Sequence, residues 1–318
     1  MRHFDQAELD KSLTFPKLIE SLRSAFAGNW TTPMRHHHGM PGVDHNGAEV
    51  ENALLLMPSW TGPGAENFVG VKLVAVYPNN GQIDLPSIHG LYYLIDGNTG
   101  QPLATMDGAR MTVWRTAAAS ALASTYLSRP ESSTLTMIGT GALSPFMIRA
   151  HLAVRPITEV FLWNHNIRRA HELAQELRDQ GLPVTSHPDL VTAVGKSDIV
   201  CAATLTTTPL IFGKWVKPGT HIDTVGAFTP TMRETDDELV QLASLFCDTR
   251  TGALKEGGDL AIPISQGVIS SNDILADLHE LTRGAHPGRT SPEEITYFKS
   301  VGTALEDLAG AIAVWQAR

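Results

Sequence analysis

The chain has little of several features that mark whole classes of protein. Its two cysteines, Cys201 and Cys247, cannot build a disulfide framework, and both lie in apolar runs where a buried, reduced thiol is expected. The 24 lysines and arginines are outnumbered by 33 aspartates and glutamates, and the net charge of −9 argues against nucleic acid as a partner. No apolar run reaches the roughly 18 to 20 residues of a membrane helix. The charged start, MRHFDQAELDKSLTF, lacks the apolar core of a signal peptide, so we expect a cytoplasmic protein without a membrane partner.

Length and pattern indicate two domains. A chain of 318 residues with 42% hydrophobic residues exceeds the usual size of one core. The segment TFPKLIESLRSAFAGN predicts a first helix, and short apolar runs between residues 53 and 106 predict a sheet with a hairpin at DGNTG. The alanine-rich MTVWRTAAASALASTYLS then predicts a long helix.

Strands and helices alternate after residue 117, which predicts a parallel sheet with helices on both faces. We interpret the last stretch, SPEEITYFKSVGTALEDLAGAIAVWQAR, as a helix that Gly302 interrupts. The fold class is therefore α/β, with a Rossmann-type doubly wound sheet and a separate strand-rich α+β domain. The predicted boundaries are 1–116 with 294–318 for the strand-rich domain and 117–293 for the nucleotide-type domain.

A glycine turn follows the strand TLTMI. Gly139 and Gly141, with Ala142 beside them, would let a pyrophosphate approach backbone N–H groups at a helix N-terminus. Ser144 stands where a third glycine is usual, and that glycine serves helix packing rather than phosphate contact. One such turn is weak evidence, and a strand-turn-helix without a ligand remains the alternative.

The tip of the next strand carries no acid. A carboxylate would hold the ribose hydroxyls of NAD, but the segment FLWNHNIRR offers Asn164, His165, Arg168 and Arg169. Hydrogen-bond donors and positive charge suit a 2′-phosphate, so NADPH is favoured and NADH is expected to bind more weakly. The alternative is that these arginines are a solvated helix start.

Several motifs together resemble one known family along nearly the whole chain, the ornithine cyclodeaminase and mu-crystallin family. They are LLLMPSW, VGVKLVAVYPNN, YLIDGNTGQPLATMDG, RTAAASALA, IGTGA, DIVCAAT, VGAFTP, the GDL at 258–260 and FKSVGTALED. The resemblance implies a strand-rich substrate-binding and dimerisation domain, a Rossmann domain that binds NAD(P), and a homodimer. It also implies that Thr204, Val225 and Lys299 contribute to the cofactor site.

In this family basic residues that match Arg35, Lys72 and Arg115 bind a substrate carboxylate, and Met57, Phe228 and Gly302 would line the pocket. An arginine can hold a carboxylate in two parallel bonds. Lys72 is the only charge in FVGVKLVAVY, and Arg115 begins an alanine-rich run, so each needs a partner such as a bound anion.

Each cation also has a plain structural interpretation. The Lys72 stem could cross the sheet and reach solvent, Arg115 could pair with a carboxylate such as Asp107, and Arg35 lies in the loop PMRHHHGM. In that loop His36, His37 and His38 lack the spacing of a zinc site, so we expect no metal and either a solvated loop or one pocket proton donor.

Two departures from the family pattern point to an imine substrate. Phe228 replaces the aspartate of cyclodeaminating members, and Leu55 replaces their glutamate, so a substrate ammonium would lose its counter-charges. We therefore expect an NADPH-dependent imine reductase that converts Δ1-pyrroline-2-carboxylate or Δ1-piperideine-2-carboxylate to L-proline or L-pipecolate, a place in proline metabolism. The alternatives are an ornithine cyclodeaminase or amino-acid dehydrogenase of the same family, and a non-catalytic NADPH-binding protein like a crystallin.

Overall fold

The computed structural model describes residues 1–64 and 66–317, which fall into two compact units. The first unit is Met1–Arg115 with Thr303–Arg318, and the second is Thr116–Gly302. The helices, in chain order, are α1 (Gln6–Ser12), α2 (Phe15–Ala27), α3 (Gly108–Leu127), α4 (Ser144–Leu152), α5 (Ile167–Asp179), α6 (Leu190–Lys196), α7 (Asp237–Leu242), α8 (Arg250–Glu256), α9 (Gly258–Ser265), α10 (Leu278–Thr282) and α11 (Ala304–Gln316).

The strands, in chain order, are β1 (Arg2–Phe4), β2 (His36–Val43), β3 (Glu49–Trp60), β4 (Phe68–Val76), β5 (Ile88–Asp96), β6 (Pro102–Asp107), β7 (Thr134–Ile138), β8 (Glu159–Trp163), β9 (Val184–Ser186), β10 (Ile199–Ala202), β11 (His221–Thr224), β12 (Ser244–Cys247), β13 (Ile274–Asp277) and β14 (Thr296–Lys299).

The first unit is built on a six-stranded sheet in the order β1-β6-β5-β4-β3-β2. Strands β2 to β6 pair antiparallel, and β1 joins β6 in parallel. Helix α11 packs on β3, β4 and β5 and against α2, whose buried side chains recur at helical spacing as the sequence predicts. One face of the sheet is therefore covered by helix.

Residues 36–38 differ from the prediction. They begin strand β2, in which His36, His37 and His38 pair with Leu56, Leu55 and Leu54 of β3, so they do not lie in a loop. Successive side chains of a strand point to opposite faces, which separates neighbouring histidines.

The second unit contains an eight-stranded sheet in the order β13-β12-β14-β11-β10-β7-β8-β9, and its pairings are parallel. The run from β9 to β14 repeats the strand order of a Rossmann fold. The order reverses between β7 and β10, and ligands of such sheets bind outside the carboxyl ends of the strands at that point. The predicted fold class is confirmed, with one parallel sheet and one strand-rich sheet.

The last predicted helix is wrong in its first half. Thr296–Lys299 forms strand β14 between β11 and β12, and helix begins only at Ala304. When a short run of β-branched and aromatic residues is buried on both faces, its apolar residues show neither the helical nor the strand periodicity, so the sequence cannot distinguish the two. Because β14 completes the parallel sheet, residues 294–302 belong to the second unit and not to the strand-rich domain, where the sequence placed them. No helix in the described part of the chain is long and apolar enough to cross a membrane.

Candidate active site

Lys72 stands in the middle of a buried row that runs across the first sheet. Strand register places it directly between Met57 of β3 and Tyr92 of β5, and Tyr92 is followed by Met106 of β6. These four side chains are at most 2% exposed. Two residues that the sequence assigned to the site, Met57 and Lys72, are therefore direct neighbours on the face that carries α11.

One carboxylate oxygen joins Lys72 to Arg115. The Lys72 Nζ donates to Asp307 Oδ1 at 2.8 Å, and the Arg115 Nε donates to the same atom at 3.1 Å. The Arg115 Nη1 also donates to Glu306 Oε2 at 2.7 Å, and Lys72 reaches Thr112 Oγ1 at 3.2 Å. The two cations thus point at one atom, as a shared binding site requires.

These contacts correct the sequence interpretation of both cations as lone charges. Lys72 is 1% exposed and does not reach solvent, and Arg115 pairs with Glu306 and Asp307 rather than with Asp107. The chain supplies its own anions from the first turn of α11. Both acids stand in the segment FKSVGTALED, but acids are common in the first turn of any helix because they interact favourably with the helix dipole. Their presence there did not indicate a pairing with Lys72 and Arg115.

The cluster carries one unit of positive charge. Burial lowers the pKa of Lys72 from 10.5 to about 8, while Asp307 opposes the fall. Burial alone would raise the pKa of Asp307, but Lys72 and Arg115 reverse this, and Arg35 contributes to the pKa of both groups. The charges of three cations, Lys72, Arg115 and Arg35, therefore act on two buried carboxylates, which leaves an excess of one positive charge.

The glycine turn after β7 has the form that a dinucleotide phosphate needs. Gly139 has a φ of 109°, and a Cβ there would lie 2.7 Å from the Ala203 carbonyl oxygen. A Cβ on Gly141 would meet nothing within 4 Å, so the space beside it is open. Gly141 and Ala142 are exposed, and their N–H groups make no hydrogen bond within the described residues. These donors lie at the N-terminus of α4, which suits an anion.

Ser144 is built into this turn. It is fully buried at the first position of α4, and its hydroxyl donates to the Gly139 carbonyl oxygen at 2.9 Å. The departure from a third glycine is thus compensated by a bond that holds the turn.

At the tip of β8, one of the predicted cofactor residues bonds other parts of the protein. The Asn164 amide donates to Thr140 Oγ1 at 2.8 Å and accepts from the N–H of Asn166, so it braces the turn. The side chains of His165, Arg168 and Arg169 are exposed and make no hydrogen bond or ion pair within the described residues. They are the groups at this tip that remain able to bind a phosphate.

A buried carboxylate that the sequence analysis missed organises the next two strand ends. Glu234 accepts from the N–H and hydroxyl of Thr204 at 2.7 and 2.8 Å, and from the N–H groups of Gly226 and Ala227 at 2.9 and 3.3 Å. Burial raises the pKa of Glu234. Thr204 and the turn after Val225, both assigned to the cofactor, are thereby fixed at the carboxyl end of the sheet.

Lys299 forms a buried ion pair inside the second unit. Its ammonium is fully buried and donates to Asp259 Oδ2 at 2.9 Å, while Asp259 Oδ1 accepts from the N–H of Glu234 at 2.7 Å. Its charge neutralises the carboxylate that supports the Glu234 turn. The cofactor role that the resemblance implies for Lys299 stays a prediction. The GDL segment contains this partner.

Phe228 and Gly302 lie in the second unit. The Phe228 side chain is 38% exposed and stands just after the Glu234-bound turn. Gly302 has a φ of 77°, and its N–H donates to Asp248 Oδ2 at 2.7 Å. Gly302 thus serves a tight backbone turn after β14.

A second buried cluster joins His151, Cys201 and Asp223. The His151 Nε2 lies 3.0 Å from Asp223 Oδ2 and 3.2 Å from the Cys201 sulfur, and Ser120 donates to Asp223 Oδ1 at 3.0 Å. The three side-chain atoms lie within 4.8 Å of one another, so the residue types and spacing could hold a metal ion. Burial raises the pKa of the Cys201 thiol, which favours the protonated form and a hydrogen-bonded network.

Comparison with known proteins gives a consistent assignment. Residues 5–317 match the ornithine cyclodeaminase/mu-crystallin family. A Δ1-pyrroline-2-carboxylate reductase of Colwellia psychrerythraea is 35% identical, over 99% of this chain and 98% of that protein. The structure of the Thermococcus litoralis Δ1-pyrroline-2-carboxylate reductase in complex with NADH and L-proline has a TM-score of 0.91 and 34% identity, and covers 100% of this chain and 97% of that one.

An archaeal alanine dehydrogenase dimer with bound NAD is also similar, with a TM-score of 0.88 and 29% identity over 100% of this chain and 95% of that one. The enzyme class expected from the sequence, a nicotinamide-dependent oxidoreductase that acts on C=N bonds, is the class of the two pyrroline-carboxylate reductases.

Proposed function

Because the chain belongs to the ornithine cyclodeaminase/mu-crystallin family, we propose that it reduces a cyclic ketimine carboxylate, Δ1-pyrroline-2-carboxylate or Δ1-piperideine-2-carboxylate, to L-proline or L-pipecolate. The chain is an oxidoreductase that acts on C=N bonds. The observation that carries the proposal is the buried cluster in which Lys72 and Arg115 bond Asp307 and Glu306. Arg35 adds a third positive charge to it, and this excess suits one small monocarboxylate.

The roles follow from the chemistry of the side chains. Arg115 and Arg35 hold the substrate carboxylate through charge-assisted hydrogen bonds, each contributing about 1.5 to 3 kcal/mol. Lys72, with its pKa near 8, is poised to give a proton to the ring nitrogen at neutral pH. A bound nicotinamide would supply the hydride for C2. Met57 beside Lys72 provides apolar surface for the substrate ring.

An imine fits this chain better than an amino acid. The positions at which cyclodeaminating members carry acids hold Leu55 and Phe228, and the carboxylates beside Lys72 are already neutralised by cations. A substrate ammonium would therefore find no available counter-charge here. Ammonia release from L-ornithine, or oxidation of L-alanine, would instead support the cyclodeaminase or amino-acid dehydrogenase alternative.

The cofactor proposed is NADPH, held by the turn of Gly139, Gly141 and Ala142 and by the phosphate-binding groups His165 and Arg168. No acid stands at the tip of β8 to bind two ribose hydroxyls, which favours the phosphorylated form. NADH would bind the same turn with less affinity.

The test is a panel of reactions followed by cofactor absorbance. The two ketimines, L-ornithine and pyruvate with ammonia are each incubated with NADPH and with NADH. We expect ketimine reduction, with about a 10²- to 10⁴-fold loss in Lys72→Ala, the range that removal of a general acid costs. If Lys72→Ala and Arg115→Ala each reduced the ketimine as fast as the wild type, the proposed site would be wrong. Thermal stabilisation by NADPH without turnover of any ketimine would support a crystallin-like binding protein instead.

A further inference from the structure

We propose that Asp307 is a positioning residue that keeps Lys72 protonated and aimed for proton delivery, an inference that rests on the proposed function. Asp307 is fully buried, and its Oδ1 receives both the Lys72 ammonium at 2.8 Å and the Arg115 Nε at 3.1 Å. A single atom thus fixes the proton donor with respect to the carboxylate-binding arginine.

The surroundings of Lys72 make this carboxylate necessary. The groups that face the ammonium or act on its charge are Asp307 of α11, Thr112 and Arg115 of α3, and Arg35 before β2. Tyr92 of β5 lies beside Lys72 in the strand register. Burial and two like charges all favour the neutral amine, and Asp307 alone among these groups favours the ammonium. Without it, a lysine in this place would be neutral at physiological pH and could not act as an acid.

The reaction step balances with Lys72 as donor. An N–H bond of the ammonium breaks and its proton passes to the ring nitrogen, the hydride adds to C2, and the C=N π electrons form the new N–H bond. Lys72 is left neutral and regains its proton from water. Asp307 stays ionised throughout and touches neither the ring nor the hydride.

A matched pair of variants separates charge from packing. Asp307→Asn keeps the shape and one acceptor oxygen but removes the negative charge beside Lys72. Glu306→Gln makes the same change one residue earlier, where the carboxylate accepts from the Arg115 Nη1 at 2.7 Å. Both variants therefore change a partner of Arg115, and Asp307→Asn also changes a partner of the proton donor, Lys72.

The decisive measurement is the pH profile of kcat/KM for ketimine reduction. The wild-type rate should fall as the pH rises through about 8, where Lys72 loses its proton. In Asp307→Asn this midpoint should move down by about 1 to 3 pH units, the usual effect of one close opposite charge, and Asp307→Glu should move it back towards the wild-type value. Glu306→Gln should raise KM and leave the midpoint in place. A midpoint that stays the same in Asp307→Asn while the rate falls would overturn the proposal.

A second readout does not depend on turnover. The ¹⁵Nζ resonance of Lys72, assigned by its loss in Lys72→Met, reports the protonation of this side chain directly. The titration midpoint of this resonance should be lower in Asp307→Asn than in the wild type, and it should be unchanged in Glu306→Gln. If no ketimine is reduced by the wild type, the proposed function fails, yet this titration still decides whether Asp307 controls Lys72.

Discussion

The two glycines of the dinucleotide turn differ in what a side chain would cost. Gly139 adopts a φ of 109° and a Cβ there would contact a backbone oxygen, whereas Gly141 has room for one. The first glycine is required by the fold itself. The second is required only by a ligand that must come close to the backbone.

Alanine substitutions should separate these two requirements. Gly139→Ala should lower the free energy of unfolding by about 1 to 3 kcal/mol, because a residue with a side chain is strained at this φ. Gly141→Ala should leave the stability of the free protein unchanged. It should weaken NADPH binding by at least the free energy that Gly139→Ala costs in stability. Chemical denaturation and calorimetric titration measure the two effects, and equal destabilisation by both variants would contradict this account.

The proposed preference for NADPH would depend on single residues at the tip of β8. Arg168→Ala should weaken NADPH by about 1.5 to 3 kcal/mol, the value of a charge-assisted bond, and leave the Kd of NADH nearly unchanged. Arg178→Ala is the control on the same helix, since that side chain bonds the Val184 carbonyl oxygen and Gln175. If Arg168→Ala weakened the binding of NADPH and NADH equally, this residue would not bind the 2′-phosphate.

At the scale of elements, the passage from β14 into its following turn depends on one buried acid. Asp248 Oδ2 accepts from the hydroxyl of Ser300 at 3.1 Å and from the N–H groups of Val301 and Gly302 at 2.8 and 2.7 Å. Burial raises the pKa of Asp248, although these donors oppose the rise. The carboxylate replaces strand pairing at the point where the backbone leaves the sheet.

Removal of this acid should destabilise the second unit. Asp248→Ala removes the carboxylate that accepts from the buried N–H groups of Val301 and Gly302, and we expect a loss of about 2 to 4 kcal/mol in the free energy of unfolding. Ser300→Ala removes one donor and should cost about 1 kcal/mol. Urea denaturation gives both values, and a loss in Asp248→Ala no larger than in Ser300→Ala would show that the turn does not need the carboxylate.

At the scale of the whole molecule, the outer face of the first sheet is unusually apolar. Leu73 and Leu91 are direct neighbours in the register on the face opposite Lys72, and they are 44% and 43% exposed. A sheet face that meets water normally alternates to polar residues. We therefore propose that a second copy of the chain covers this face in a homodimer, the assembly of the archaeal alanine dehydrogenase.

A charge on this face should separate the subunits. Leu73→Asp is expected to convert a dimer to a monomer in size-exclusion chromatography with light scattering, because a buried carboxylate without a partner opposes association. Leu242→Asp is the control, since Leu242 is 56% exposed on the second unit. A wild-type protein that elutes as a monomer, or a dimer that survives Leu73→Asp, would contradict the proposal.

Local chemistry explains which predictions succeeded. The helix breakers and caps around α2, the unbroken alanine-rich run of α3 and the strand-turn-helix at Gly139 are encoded by nearby residues, so the sequence could reveal them. Long-range pairing is different. The contact between Lys72 and Asp307 joins residues 235 positions apart, and only the packing of α11 on the sheet brings them together. The same holds for Glu234 and Asp259, which are acids in unremarkable segments until the fold buries them.

Short buried segments account for the errors. The TYFK run of β14 is apolar on both faces and carries no period, and His36 to His38 became a strand through pairing with β3. The ion pair of Lys299 with Asp259, forty residues earlier in the chain, could likewise be seen only in the folded structure.

The charge balance around Asp307 also sets what the pocket would refuse. With a single positive charge in excess, the cluster would neutralise a ligand that bears one carboxylate, whereas a diacid would bring a second negative charge among buried groups. A site that selects its ligand by charge would accept acids with five- and six-membered rings alike. Discrimination of ring size would then depend on the apolar side chains around the ring.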